Sequence, residues 1–375
     1  MATLNPEFST KIQRFGAVNI NACYNCGNCT AICPLSEPDN SFPRKMLRVS
    51  VLGLEDKLAA STEPWLCYYC GECSETCPRD ANPGELMMSL RRYLTSLYDW
   101  TGISGKFYSS KWLQIGAAAL VSVITLVLFV IFGGPMITDA AYVKLNSFAP
   151  VNVIKTIDFC LVVFVSFMII SYLLNMYFKI LGSHKELKIP LVLYFKEFWL
   201  LIVHFASQWR FSKCSDRKYW FVHWLVMTGY VMMFGLIVVF LRWFQTEDIY
   251  PWYHAQRLLG YYATAVLLFG SVYFIIGRIR KNKESHKYSH HSDWLFIILL
   301  FLIALTGILI HIFRYFNMPL STYYMYALHL AAYAPWVLIV IPFSKWTHLV
   351  FRPVAIYMES VRQSALRIQK EGDGA

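Results

Sequence analysis

Eight cysteines fall in two runs of identical spacing: Cys23, Cys26, Cys29 and Cys33 before Pro34, then Cys67, Cys70, Cys73 and Cys77 before Pro78. Each run reads C-x2-C-x2-C-x3-C-P, the thiolate spacing that holds 4Fe-4S clusters in pairs. Every cysteine of the second run lies 44 positions after its counterpart, so the unit is duplicated. Three closely spaced thiolates take three corners of a cubane cluster, and the fourth, beside proline, turns away to the other cluster. Cys23, Cys26, Cys29 and Cys77 are therefore expected to hold one cluster, and Cys67, Cys70, Cys73 and Cys33 the other. A structural zinc site pairs two short knuckles across about a dozen residues or more, and four ligands so close together suit one tetrahedral ion poorly. Disulfides need an oxidising compartment. Met1 to Asn21 shows no apolar signal segment, so the clusters are expected to face the cytoplasm.

Two helical stretches are expected to position these thiols, Arg44 to Leu58 behind Pro43 and Gly84 to Leu97 behind Pro83. Proline suits the first turn of a helix, where its missing N–H has no partner to lose. Met46, Leu47, Leu54 and Leu58 share one helical face, and period-2 alternation is scarce, so the module reads as all-helical. Residues 1–98 form this head. Residues 99–111, with Gly102 and Gly105, read as a linker.

The remainder has a different composition. Across the chain 57% of residues are hydrophobic and 17% aromatic, and the apolar runs concentrate beyond residue 110, which marks a membrane protein. Six stretches suit a bilayer: Trp112–Phe132, Ile154–Ile180, Tyr219–Phe244, Leu258–Gly277, Trp294–Phe316 and Tyr324–Phe343. A seventh, Leu191–Phe211, carries Lys196, Glu197, His204 and Arg210 and reads as an interfacial helix. The expected fold is all-α: a helical twin-cluster ferredoxin domain fused to a six-span bundle over 112–351, with a cytoplasmic tail over 352–375.

Basic residues assign the sides, because lysine and arginine collect in cytoplasmic connections. Leu181–Lys218 holds Lys185, Lys188, Lys196, Arg210, Lys213, Arg217 and Lys218, and Arg278–Lys287 adds five more, whereas the opposite connections carry Asp139, Glu247 and Asp248. The net charge of +11 then follows from membrane topology and needs no nucleic acid. Both termini are expected in the cytoplasm, and the protein in a bacterial cytoplasmic membrane.

Histidines within spans usually mark a cofactor or a proton path. His223, His254, His311 and His329 qualify by position, with the bland alternative that each is satisfied by a carbonyl or sits at an interface. A haem b in a helix bundle needs two neutral imidazoles from different helices. Cys160 and Cys214 stand alone without ligand spacing and read as a buried or loop thiol. Trp112, Trp220, Trp243, Trp252 and Tyr253 suit an interfacial aromatic belt. Arg217, Arg242, Arg257, Arg314, Lys345 and Arg352 suit either haem propionates or interfacial anchoring.

The segment ending at His348, YYMYALHLAAYAPWVLIVIPFSKWTH, resembles the last transmembrane helix of the cytochrome b subunit of respiratory nitrate reductases. In that family an L-H-L histidine, here His329, ligates haem, and a P-F-S-[KR]-x-x-H signature ends the helix. RKYWFVHWLVMTG resembles the family's other haem helix and puts its first ligand on His223. YHAQRLLG and SDWLFIILLFLIALTG resemble spans of heterodisulfide reductase and sulfite-reduction membrane subunits. A heterodisulfide reductase C-like head fused to an E-like body is similar to the membrane subunits of quinone-interacting membrane-bound oxidoreductases of sulfate-reducing bacteria.

That resemblance implies two 4Fe-4S clusters, a haem b on His223 and His329, and menaquinol as substrate. It also implies heterodisulfide reductase A-like flavin and iron-sulfur subunits as partners, and transfer towards adenylylsulfate reductase. Met233 stands where the family has a further ligand, so a second haem is assigned to His254 with His311. Met233 ligation and a single haem remain open. Counted along the spans, His223 is shallow on the cytoplasmic side and His329 enters from the far side, which leaves His204 as a reserve partner. No G-x-G-x-x-G fingerprint, P-loop or nucleophile constellation occurs, so the final acceptor is expected on another protein. The rival readings are a heterodisulfide reductase membrane subunit using another lipid carrier, and a haem-free transporter or redox sensor.

Overall fold

The computed structural model describes residues 4–373 apart from 38–39, 135–141, 150, 184–185 and 245; Lys185 and Asp139 lie outside the described residues. No strand occurs among the described residues beyond one isolated bridge between Glu37 and Asn40. Among the described residues six helices are long and apolar enough to cross a membrane: Lys111–Phe132, Asn152–Ile180, Arg217–Val239, Ala255–Arg280, His291–Tyr315 and Pro319–Phe343. They agree closely with the six expected stretches. The third and fourth spans approach tightly, because a Cβ on Gly229 would collide with Val266 and one on Gly270 with Val226. Small residues at such crossings let helix backbones meet without a hydrophobic driving force from water.

The head is built on the helix Pro83–Tyr98, whose Leu86, Met87, Leu90 and Tyr93 bury against Phe8, Ile12, Met46, Leu47 and Leu58. The expected Arg44–Leu58 helix is split into Arg44–Val51 and Glu55–Ala59, with Gly53 left-handed between them.

The stretch read as a linker is helical from Ile103 to Ser109 and buries Phe107 and Tyr108. The tail is also structured. It continues a helix, His348–Asp373, that packs along Leu191–Ser207. Glu197, the charge that argued against a span there, accepts from Ser360 Oγ at 2.6 Å and Ser364 Oγ at 2.8 Å on the tail. Leu191, Phe195 and Trp199 on the same helix are exposed.

Head and bundle share one core. Trp65, Leu94 and Tyr98 of the head bury with Tyr172, Met176 and Ile180 of the second span and with Phe343 and Phe351. A second seam is ionic: Arg92 pairs with Glu85 at 2.9 Å and reaches Asp293 at 3.4 Å, and Lys345 also pairs with Asp293. The head therefore sits on the bundle end that carries the 207–217, 280–291 and 344–352 connections.

Candidate redox site

The duplication is visible in the backbone. Asn25 and Gly27 in the first run, and Tyr69 and Gly71 in the second, are all left-handed, with φ of 64°, 89°, 58° and 93°. Left-handed residues alternating with ordinary ones turn successive N–H groups inward, a concavity suited to anionic sulfur. Each loop then enters a short helix, Asn28–Ile32 or Glu72–Glu75.

The two loops wall two cavities. Cys23, Cys26, Cys29 and Cys77 line one, and Cys67, Cys70, Cys73 and Cys33 line the other. Backbone N–H groups already point at sulfur: Tyr69 N–H donates to Cys67 Sγ at 3.3 Å and Ala81 N–H to Cys77 Sγ at 3.4 Å. Among the described residues no three histidine, cysteine or carboxylate side chains converge on a single ion position. The thiols are instead spread around each wall, which fits a multi-iron cluster. Burial pushes the Cys33 thiol up to about 12, so ligation there must expel a proton.

The second cavity faces the membrane bundle. Cys67 O accepts from Arg91 and, at 3.1 Å, from Arg352, whose guanidinium also lies 4.5 Å from the Tyr68 ring centre. Tyr68 stacks on Phe211 at 4.9 Å, and Phe211 meets His223 edge-on at 5.7 Å. The first cavity is lined only by head residues, and its Cys26 and Tyr24 are exposed.

A third cavity adjoins the second through Tyr68 and contains His204, His223 and His348, with Gln208, Met227 and Arg352. His223 Nδ1 is 2.8 Å from Gln208 Oε1, and His348 Nδ1 meets Lys345 O. Both contacts place the ring proton on Nδ1 and leave Nε2 free, as metal-ligating histidines require. His204 has neither ring nitrogen hydrogen-bonded although it is buried. Burial, with Arg210 nearby, lowers His204 to about 4; burial, with Lys345 and Arg352 nearby, lowers His348 well below its ordinary value. Neutral imidazoles in a cavity that also holds Arg352 fit a haem and one of its propionates.

Two expected pairs of histidines lie apart. Tyr230 and Trp336 lie level, with ring centres 6.4 Å apart; the third and sixth spans run in opposite directions, and His223 and His329 sit seven residues from that level on opposite sides. At about 1.5 Å rise per residue, roughly 20 Å separates the two along the bundle axis, too far to share an iron. His329 is instead held at Nδ1 by Thr306 Oγ1, 2.8 Å away. His254 and His311 do not meet either. His311 Nε2 bonds Tyr261 OH at 2.8 Å and its Nδ1 lies 3.4 Å from Arg257, while His254 stacks on Tyr250 at 4.1 Å. Tyr261 is about 10 Å along the fourth span from His254. Met233 packs in the apolar cluster that includes Tyr230, Ile303 and Tyr333.

Known proteins resemble the head. Residues 19–81 match the 4Fe-4S dicluster domain. A protein of Archaeoglobus profundus that is itself similar to the C subunit of heterodisulfide reductase is 36% identical over 88 residues, 23% of this chain and 47% of that one. The second C-type iron-sulfur subunit of the CoB–CoM heterodisulfide reductase of Methanocaldococcus jannaschii is 44% identical over 73 residues, 20% of this chain and 39% of its own. The head thus matches the 4Fe-4S dicluster domain and is similar in sequence to these C subunits. The chain spans less than half the length of either relative. No solved structure matches it.

Three site residues escaped sequence reasoning. His348 was visible only as the end of a signature, Tyr68 looked like spacing between ligands, and Cys214 stood alone.

Proposed function

We propose that this chain is the membrane component of a quinol-linked oxidoreductase, taking electrons from menaquinol and delivering them through its head to cytoplasmic flavin and iron-sulfur partners. One-electron transfer is the chemistry that haem b and 4Fe-4S clusters supply when bound. The observation that carries the reading is the order of the three cavities: histidines in the bundle, joined through Tyr68 to the Cys33–Cys67–Cys70–Cys73 wall, and beyond it in the head the Cys23–Cys26–Cys29–Cys77 wall at an exposed surface.

In this reading His223 and His348 hold the haem nearest the head, with His204 as the alternative axial residue and Arg352 on a propionate. Tyr68 and Phe211 fill the gap to the second cysteine wall and keep it dry. The thiols of that wall receive electrons first. Those of the first wall, beside exposed Tyr24 and Cys26, hand them to a heterodisulfide reductase A-like partner and, in a sulfate-respiring host, towards adenylylsulfate reductase. His329 keeps Nε2 free for a second haem. The basic connections at the head's end support a cytoplasmic head and both termini inside.

The kinship of the head with heterodisulfide reductase C subunits also supports a close second reading, in which another lipid carrier replaces menaquinol. A menaquinol analogue added to the purified chain tests both. Reduction of haem absorbance followed by cluster paramagnetic signals is expected, and haem with clusters that stay oxidised would point to the other carrier. Absence of haem refutes the cytochrome assignment.

A further inference from the structure

The second cysteine cavity holds five thiols, although a cubane cluster takes four. The fifth is Cys214, which comes from the turn before the third span, 137 positions beyond Cys77, and is 4% exposed. Its neighbours are Tyr68, Phe211 and Cys70, and it shares the cavity wall with the Cys70 thiol. The turn is fastened to the head on its far side, where Ser215 N–H donates to Glu72 Oε1 at 2.9 Å. Glu72 lies between the ligand positions Cys70 and Cys73. Among the described residues the first cavity has no counterpart: its thiols are Cys23, Cys26, Cys29 and Cys77 alone. The duplication that makes the two walls alike is therefore broken at one atom, and that atom belongs to the membrane half of the chain.

A donor aimed at a ligand sulfur has a defined effect. Cluster potentials follow net charge, solvent exposure and hydrogen bonds to the sulfurs. An S–H dipole pointing at the Cys70 sulfur stabilises the extra negative charge of the reduced cluster more than that of the oxidised one. We propose that Cys214 is a positioning residue of the second cluster: its S–H donates to the Cys70 sulfur and raises that cluster's potential relative to the first. The proposal rests on the reading that the second cavity holds a 4Fe-4S cluster. The bundle would thereby tune the cluster that receives its electrons, and the tuning would exist only while the head is docked.

The test uses the full chain purified in detergent, with iron analysis and redox titration followed by electron paramagnetic resonance. Cys214→Ala is expected to keep the iron content and move the second cluster's midpoint lower, while the first cluster's midpoint stays in place. Cys214→Ser, which retains a donor, is expected to restore most of the shift. Cys214→Val, which fills the space without donating, is expected to behave as the alanine variant and serves should the alanine cavity unsettle the turn. An unchanged second midpoint in both donor-free variants overturns the proposal. So does loss of the second cluster from alanine and serine variants alike, which would make Cys214 a ligand. If Cys33→Ala leaves iron content and both signals intact, the cluster assignment itself falls, and this proposal with it.

Discussion

Gly27 and Gly71 occupy equivalent positions in the two cysteine loops, yet their surroundings differ, and an alanine at each makes a controlled comparison. Both have left-handed φ, 89° and 93°, so either substitution carries the cost of placing a Cβ there, about 1–2 kcal/mol. At Gly27 the new methyl meets only the Arg44 guanidinium at 3.1 Å, the free end of a flexible side chain. At Gly71 it meets Glu284 Cβ at 2.7 Å and Ser285 N at 3.2 Å, both fixed to the connection between the fourth and fifth spans. Forcing a methyl into such a contact costs roughly a further 1–3 kcal/mol. Gly71→Ala is therefore expected to destabilise the second cluster site by about 2–5 kcal/mol in all, against the smaller backbone cost for Gly27→Ala at the first. The assay is the temperature at which each cluster's paramagnetic signal is lost from the detergent-solubilised chain. Combining Gly71→Ala with Glu284→Gly, which removes the opposing Cβ, should recover the steric part while leaving the backbone part. Equal losses for Gly27→Ala and Gly71→Ala, or no recovery in the double variant, would refute the packing of this connection against the loop.

Cys33→Ala should remove the cluster of the second cysteine wall and spare that of the first, seen as selective loss of one of two paramagnetic signals; loss of the first motif's cluster would overturn the crossed arrangement. His223→Ala and His348→Ala should abolish the same haem absorbance in a reduced-minus-oxidised spectrum while His329→Ala leaves it; a haem that survives His348→Ala and disappears with His329→Ala would favour the pairing of His223 with His329. His286, in the connection that meets Gly71, is held to about 4 by burial with Arg278 and Lys283 nearby. An unfolded histidine binds its proton near pH 6.5, so the contribution of neutral His286 is complete above that value and is lost as pH falls towards 4. Thermal melts of the wild type between pH 7 and 4 should show this decline, and His286→Gln should flatten it; parallel curves would exclude the histidine.

The cysteine walls were legible because ligand spacing is local: the loop geometry that brings Cys23, Cys26 and Cys29 to one wall spans seven residues. The spans were legible because bilayer length and hydropathy are also local properties. Depth across the bundle was not. Whether two histidines on antiparallel helices face each other depends on the level at which those helices pack, which here is set by Tyr230 against Trp336. His348 lay outside every expected span and reaches the third cavity only because the tail helix begins there. Cys214 carried no spacing signal at all, since its partner Cys70 is 144 positions earlier. Gly102 and Gly105 suggest a loose connection at 99–111, whereas its helix Ile103–Ser109 is ordered by Phe107 in the shared core and Tyr108 in the head core.

The shared core of Trp65, Leu94, Tyr98, Tyr172 and Phe351 has a bearing on how the molecule is made. A head synthesised first would carry a large aromatic patch with nothing to cover it until the second span and the later tail helix had emerged. Each fully covered side chain of this kind is worth about 1.5–3 kcal/mol, so the patch would favour clumping over waiting. The wall that Cys214 completes is likewise finished late. Iron loading of the second cavity therefore has an open period during biogenesis, after the cysteine loops are translated and before the bundle closes over them. Severing the chain near residue 100 to obtain a soluble ferredoxin would leave that period permanently open and the aromatic face uncovered.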